Sequence, residues 1–202
     1  MSMARAMWIH GHGVRIEHPD RLVSEWRAGF FVRLVGRPES RLWVHYGIPT
    51  PVLVGPDRLK AGSVMVRFRS VQADDAWVAA VHIYDGETRI AAHDGLNHRS
   101  ADWIWPRFEV PGHPEVRWGV GVSIQLAFGI RQLSDRQSRV IREGAGVSVG
   151  GQRVRVPTDS ILGGAGRAGG SGASGGGGSP GPSGPQLRHA IEISAVGCDF
   201  LR

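Results

Sequence analysis

The sequence is poor in cysteine and lysine and contains no long apolar run. Its single cysteine, Cys198, excludes an intramolecular disulfide framework and a zinc site built from clustered cysteines. No window reaches the roughly 18 uninterrupted apolar residues of a membrane-spanning helix. The N-terminal segment M-S-M-A-R-A-M-W-I-H-G-H also lacks the apolar core of a secretion signal. We therefore expect a soluble cytoplasmic protein without a membrane partner.

Positive charge is not concentrated in the part of the chain that is patterned for folding. The net charge is +6 at pH 7 and Lys60 is the only lysine, but residues 1–130 are nearly balanced, and most of the excess lies in residues 131–202. A nucleic-acid-binding domain gathers its positive charge on the folded face that meets phosphate. We expect no nucleic-acid partner for the folded domain, whereas the arginine-bearing residues 131–155 are a candidate surface for an acidic partner.

Residues 77–97 contain the clearest structural signal, a predicted β-hairpin. Apolar and polar side chains alternate up to Asp85-Gly86, a dipeptide typical of tight hairpin turns. If Asp85 and Gly86 form the loop, Val81 lies opposite Ile90 and Ala79 lies opposite Ala92. Asp94-Gly95 predicts a second turn at the end of the hairpin.

Many other short segments alternate in the same way and are separated by glycine and proline turns. Pro106 predicts an edge strand or a bulge where it falls. The pattern predicts one all-β domain, a sandwich or jelly roll of about nine to eleven strands. The further strands are expected within residues 7–17, 30–35, 41–46, 52–54, 63–71, 102–110 and 116–130.

Residues 131–188 differ in composition and are interpreted as an insertion before the last strand. We expect a short helix over 130–141, a hairpin on a Gly-Gly turn within 147–156, and disorder over the Gly/Ser/Pro-rich residues 163–185. Alternation resumes at Ile191, so the final strand is expected to rejoin the sandwich. The predicted domain therefore comprises residues 7–130 and 189–200, and the cost of closing a loop grows slowly enough with its length to allow this.

Five short motifs resemble a bacterial family of unknown function. They are M-W-I-H-G-H-G-V (7–14), H-I-Y-D-G (82–86), H-D-G-L-N (93–97), V-R-W-G-V-G-V-S-I (116–124) and I-S-A-V-G-C-D-F (193–200). The resemblance covers roughly residues 7–130 and 190–200 and omits the insertion. It implies a single all-β domain whose final strand follows the insertion, and it implies no activity or catalytic residue.

One set of residues resembles the ligand motifs of cupins, which are metal-binding jelly-roll proteins. Two histidines at i and i+2 on a strand point to one face, as shared metal ligation requires. The resemblance implies a divalent transition metal as cofactor and a metal-dependent enzyme, although the glycine and Pro-x-Gly that open the two cupin motifs are absent. The alternative is that these are surface and loop histidines. The set is His10, His12, Glu17 and His93.

The preferred hypothesis is a non-catalytic binding or assembly module that presents an aromatic and histidine-bearing sheet face, or a loop rim, to a small molecule or a protein. No serine lies in a nucleophile elbow, so no catalytic residue is assigned. His82, Tyr84 and His93 are expected to share the outer face of the hairpin, with the histidines roughly 13 Å apart. An interface that buries Trp103 and Trp105 in a homo-oligomer is a further expectation. The candidate ligand-binding residues are Trp8, His10, His82, Tyr84, His93, Asp94, Asn97, Trp103 and Trp105.

Overall fold

The described chain consists mainly of β-strands. The computed structural model describes residues 3–54, 56–129, 148–149, 152–153 and 189–202. Two short 3-10 turns, Gly11–Gly13 and Pro19–Arg21, interrupt the strands, and no described helix is long and apolar enough to cross a membrane. In chain order the strands are β1 (Met3–His10), β2 (Arg15–Ile16), β3 (Leu22–Arg27), β4 (Val32–Gly36), β5 (Ser40–Gly47), β6 (Leu53–Val54), β7 (Asp57–Arg58), β8 (Lys60–Ser70), β9 (Ala76–Asp85), β10 (Thr88–His93), β11 (Arg107–Glu109), β12 (Val120–Phe128), β13 (Ser148–Val149), β14 (Gln152–Arg153) and β15 (Ala190–Leu201).

Two antiparallel sheets form the body and confirm the predicted all-β sandwich. The six-stranded sheet has the order β11-β8-β15-β4-β3, with β1 also paired to β15. The five-stranded sheet has the order β10-β9-β12-β5-β2. One edge of β15 pairs with β8, and the other pairs first with β4 and then with β1. The final strand therefore belongs to the sandwich, as predicted, and the structure further places it in the interior of its sheet.

A single hydrophobic cluster draws side chains from both sheets. The alternation in β8 places Val64, Val66 and Phe68 in this core with no exposed surface. Strands β5 and β12 contribute in the same way. Each fully buried large apolar side chain stabilises the fold by about 1.5–3 kcal/mol. The core residues from β5 and β12 are Leu42, Val44, Tyr46, Val120, Val122, Ile124, Leu126 and Phe128.

The chain passes from one sheet to the other between β1 and β2. The sequence here predicted either two short strands or one strand with a glycine bulge, and the structure shows two strands in different sheets. A Cβ atom at Gly11 would lie 2.0 Å from the Ile193 carbonyl oxygen, so the crossing needs glycine. The Tyr46 hydroxyl donates to the Gly11 carbonyl at 3.3 Å from inside the core. Its burial raises the pKa of Tyr46 above the ordinary value.

The predicted register of the β9–β10 hairpin is wrong. Strand β9 runs through Asp85, and Gly86 and Glu87 form the loop, with Thr88 opposite Asp85. A bulge at Ile90 then shifts the pairing, so that Ala92 lies opposite His82 and His93 lies opposite Val81. The second turn is as predicted, since β10 ends at His93 and Gly95 has a φ of +65°.

The hairpin loop lies after Asp85, and does not include it, because the Asp85 carboxylate binds another part of the chain. Its carboxylate accepts hydrogen bonds from the backbone N–H groups of Arg117, Trp118 and Gly119 at 2.7, 2.8 and 2.9 Å. Burial by itself would raise the pKa of Asp85, but the three N–H donors outweigh it and hold the pKa below its ordinary value. Asp85 is thus committed to the chain before β12 and does not enter the turn.

The chain leaves and re-enters the sandwich at one point. The Gly129 backbone N–H donates to the Asp75 carbonyl at 3.0 Å, and His189 Nδ1 lies 3.0 Å from the same oxygen. Contacts divide the chain into one unit of residues 1–131 and 182–202 and a second of residues 132–181. The second contains the β13–β14 pair, which confirms the hairpin predicted around residues 150–151. The predicted helix at 130–141 and the predicted disorder at 163–185 lie outside the described residues.

Two edge segments of the six-stranded sheet differ in how well they were predicted. Strand β11 pairs only with β8, so the segment containing Pro106 lies at an edge, as predicted. Strand β3 was not predicted. It pairs only with β4 and its side chains are exposed or half-buried, so it has little of the alternation that marks a strand.

Candidate functional site

The outer face of the five-stranded sheet carries a shallow pocket. Ser123 on β12 is paired with His45 on β5 and with His82 on β9, so the three side chains form one row across the central strands. The pocket has a volume of about 190 Å³. We call it the histidine pocket, and it is lined by Glu17, Trp43, His45, His82, Tyr84 and Ser123.

The next row of paired residues across the three strands leaves the open space that forms the pocket. Gly121 on β12 is paired with Tyr84 on β9 and with Gly47 on β5. Two of the three positions in that row have no side chain, so the Tyr84 ring stands next to open space. On the other side, the Trp43 ring contacts the His82 ring at a centroid distance of 4.8 Å. The pocket is thus bordered by two aromatic rings.

Each histidine of the pocket has a carboxylate beside it. His45 Nδ1 lies 2.9 Å from Ser123 Oγ, and His45 Nε2 lies 3.6 Å from Glu17 Oε2. His82 Nε2 lies 2.7 Å from Asp94 Oδ1. These contacts fix the orientation of both imidazole rings and leave Ser123 with further hydrogen-bonding capacity toward solvent.

The contacts link Ser123 to His45 and His45 to Glu17, the serine–histidine–carboxylate order that activates a nucleophilic serine. The surroundings of Ser123, however, do not suit acyl transfer. Such chemistry needs N–H donors directed at the developing oxyanion. Strand β12 is hydrogen-bonded to β5 on one side and to β9 on the other, so the backbone around Ser123 is occupied in the two ladders. Among the described residues, the backbone N–H groups beside Ser123 are therefore not free to act as such donors.

The structure brings together some of the residues chosen from the sequence and separates others. His82 and Tyr84 line the histidine pocket, and Asp94 contacts His82 there. His93 does not share their face, because it is paired with the fully buried Val81 and its ring packs on Phe108. Asn97 is elsewhere, where its side-chain oxygen accepts a hydrogen bond from Arg99 Nη2.

The four residues that resemble cupin ligands are not assembled. The His10 and His12 rings are in contact at 4.4 Å, but His12 Nε2 lies 2.5 Å from the Ala28 carbonyl oxygen. Glu17 lies at the histidine pocket, and His93 Nε2 lies 2.9 Å from the Glu109 carbonyl oxygen. Among the described residues, no three histidine, cysteine or acidic side chains are grouped as metal ligands.

The remaining predicted aromatic residues belong to the other sheet. Trp8 on β1 lies over Gly197 of β15, where a Cβ atom would be 2.4 Å from the indole ring. Trp103 packs against the rings of Phe30 and Phe31. Trp105 is largely exposed at the β8 edge. The sequence-based set therefore combined residues from two separate faces.

Three residues of the histidine pocket were not predicted as ligand-binding residues: Trp43, His45 and Ser123. Their outward orientation is readable from the sequence, since Trp43 and His45 alternate with the buried Leu42 and Val44. Their proximity to His82 depends on the order of the strands, which the sequence does not specify.

These features define a two-sheet β-sandwich with an open pocket of aromatic and polar residues on one outer face. The chain belongs to a family of unknown function, DUF6623, whose model matches residues 2–152. This confirms the resemblance to such a family. The matched region ends before β15.

The comparisons with other proteins give distant likenesses. No curated protein matches the chain. It is similar to a lysine-to-alanine mutant of a family 29 carbohydrate-binding module complexed with cellulohexaose, with 9% identity, a TM-score of 0.31, and coverage of 61% of this chain and 92% of that chain. A glutamate-to-arginine mutant from the same family of modules gives 10% identity, a TM-score of 0.30, and coverage of 65% and 99%. Likenesses at this level carry no argument about function.

Proposed function

We propose that the sandwich is a non-catalytic binding module that holds an uncharged, ring-shaped polar ligand, such as one unit of a sugar, in the histidine pocket. The observation that carries this proposal is the row of His45, Ser123 and His82 between the rings of Trp43 and Tyr84. Hydrogen-bonding groups and flat apolar surfaces thus face the same small space.

The lining matches the two kinds of surface that a sugar presents. Hydroxyl groups need donors and acceptors in fixed positions, which the pocket histidines and Ser123 supply. The C–H face of a sugar ring is apolar and packs on aromatic rings such as Trp43 and Tyr84. A volume of about 190 Å³ suits one ring and not an extended chain.

The charges at the rim favour a neutral ligand. Glu17 lines the pocket beside His45, and Asp94 lies next to it in contact with His82. An anionic ligand would meet two carboxylates of its own sign. An uncharged ligand avoids this repulsion and still uses the carboxylate oxygens as acceptors.

Titration of the full-length protein with neutral oligosaccharides tests the proposal, with tryptophan fluorescence and calorimetry as the readouts. We expect saturable binding, and we expect Trp43→Ala to weaken it at least about fivefold through loss of the stacking surface. Trp118→Ala is the matched control, because Trp118 is 74% exposed and lies outside the histidine pocket. Binding that is absent, or that both variants weaken equally, would contradict the proposal.

The proposal assigns no metal cofactor to the protein. Elemental analysis of purified protein checks this separately from ligand binding. A stoichiometric transition metal, lost in a His10→Ala/His12→Ala double variant, would instead support the metal-dependent alternative that the sequence suggested.

A further inference from the structure

The outer face of the six-stranded sheet carries a second cluster, which the histidine pocket does not use. We call it the arginine patch: Arg33 on β4, Arg67 and Arg69 on β8, and Glu192 and Ser194 on β15. Glu192 is paired with Arg33 on one side and with Arg69 on the other. The three side chains therefore stand in one row across β4, β15 and β8.

The carboxylate in this row is buried and fully engaged. Glu192 has no exposed surface. Arg33 Nε donates to one carboxylate oxygen at 2.7 Å, and Arg69 Nε donates to the other at 2.5 Å. Arg67 donates from Nη1 to the neutral Ser194 hydroxyl at 2.9 Å. Three guanidinium groups and one carboxylate leave two positive charges in excess within the patch.

The arginines keep donors that the protein does not use. A guanidinium group has five N–H donors. Within the described part of the chain, Arg69 Nη1 and Nη2 and Arg67 Nε and Nη2 donate to no protein acceptor. The Arg69 side chain is 35% exposed, so solvent reaches these groups. Arg67 and Arg69 are two residues apart on β8, and guanidinium groups with free nitrogen atoms on one strand face can share a planar or tetrahedral anion.

Aromatic rings hold the guanidinium groups in place. The Arg67 and Arg69 guanidinium carbons lie 4.9 and 5.1 Å from the Trp103 ring centroid. The Arg33 guanidinium lies 4.8 Å from the Trp26 ring centroid. Such stacking fixes the orientation of the donors, which lowers the entropy cost of binding an anion. Trp26 and the neighbouring Phe30 remain about half exposed and offer flat apolar surface beside the charges.

We propose that the arginine patch binds an acidic polysaccharide, independently of the histidine pocket. The anionic group of an acidic sugar accepts hydrogen bonds from Arg67 and Arg69, while the C–H face of the chain lies against Trp26 and Phe30. Carboxylated and sulfated chains share this chemistry, because both join an oxygen anion to a sugar ring.

Two other classes of polyanion fit the patch less well. A peptide strand presents backbone N–H groups that need acceptors, but both oxygens of Glu192 are already taken and the residue is buried. Single-stranded nucleic acid needs free cations along its path. Farther along β15, however, Arg107 is paired with Asp199 at 2.6 Å, so the positive excess is local to the patch.

Affinity electrophoresis and calorimetry on the full-length protein test the proposal. The probes are polygalacturonate for carboxylated chains, dextran sulfate for sulfated chains, and uncharged dextran as the reference for binding that needs no anionic group. We expect at least one acidic chain to bind more tightly than dextran, with an excess affinity that falls as salt is added. Arg67→Gln should weaken this binding at least about fivefold. It should leave the fold intact, since among the described side chains Arg67 has only the neutral Ser194 hydroxyl as a hydrogen-bond acceptor and forms no ion pair.

Arg41→Gln is the matched control, because Arg41 likewise donates to one neutral side chain, Gln125, but on the opposite sheet. It should bind the acidic chain like the wild type. No binding to either acidic chain, or equal loss in both variants, would overturn the proposal. So would equal binding of oligothymidylate or poly-L-glutamate. Because the probes and variants differ from those of the histidine pocket, either site can fail without the other.

Discussion

The carboxylate of Asp85 determines the local structure at two distant points of the chain. It ends β9 and accepts three backbone N–H groups from residues 117–119, just before β12 begins. Those donors favour the ionised form and lower the pKa of Asp85. The resulting stabilisation is fully present above the ordinary pKa of 3.8, and it is lost as the pH falls through the lower folded-state value.

We expect Asp85→Asn to cost about 2 kcal/mol in the free energy of unfolding at pH 7, because the charge-assisted hydrogen bonds are lost. The difference from wild type should begin to shrink as the pH falls below 3.8 and should vanish once the pH is below the lowered folded-state pKa, where the wild-type carboxylate is also neutral. Urea unfolding of both proteins at several pH values measures this. A difference that stays constant down to the lowest pH would show that ionised Asp85 has no special role.

At the scale of elements, β15 organises the six-stranded sheet. It is hydrogen-bonded along both edges. A bulge between Ile193 and Ala195 reverses which alternate side chains point toward the core. The alternation predicted for residues 191–196 therefore fails after Ile193, and Val196 and Cys198 face the core. Burial raises the pKa of Cys198 to about 12, with a further contribution from Asp199. The thiol is both inaccessible and protonated near neutral pH.

Cys198 should therefore resist alkylation until β15 leaves the sheet. We expect its reaction with iodoacetamide at pH 8 to be far slower than that of a free thiol and to accelerate together with global unfolding in urea. Mass spectrometry of the labelled protein measures the rate. Rapid labelling in the absence of denaturant would mean that β15 is frayed or lies at the sheet edge.

The elements that were predicted well are those that bury one face. Strands β8 and β9 are long and alternate because one side meets the core, so their pattern is visible in the sequence. Strand β3 buries little side-chain surface, so its sequence shows no alternation of apolar and polar residues. The hairpin register was wrong because the partners of Asp85 lie more than thirty residues away, a contact that turn propensity does not reveal.

At the scale of the whole molecule, the histidine pocket depends on strand order. Glu17, His45, His82 and Ser123 come from four separate parts of the chain, although Trp43 shares a predicted strand with His45 and Tyr84 shares one with His82. The sequence specifies that these side chains point outward, but not that β12 lies between β5 and β9. The resemblance to cupin motifs likewise grouped residues that match a sequence motif but lie apart in the folded protein.

Both proposed sites depend on a sandwich that is completed after residues 131–188. The chain leaves at Gly129 and returns at His189 beside the same Asp75 carbonyl, so a few residues suffice to join these points. Each doubling of loop length costs only about 0.6 kcal/mol, so a shorter connection should be equally or slightly more stable. Removal of β15, in contrast, would take an interior strand and its core residues away.

Thermal unfolding of two shortened proteins tests this central claim. In one, a six-residue Gly/Ser linker replaces residues 131–188, and we expect a cooperative transition at or above the wild-type temperature. The other ends at Ile130, and we expect no cooperative transition, because the six-stranded sheet has lost its interior strand. If the chain that ends at Ile130 unfolds as sharply and at the same temperature as the full-length protein, β15 does not complete the sandwich and the described fold is wrong.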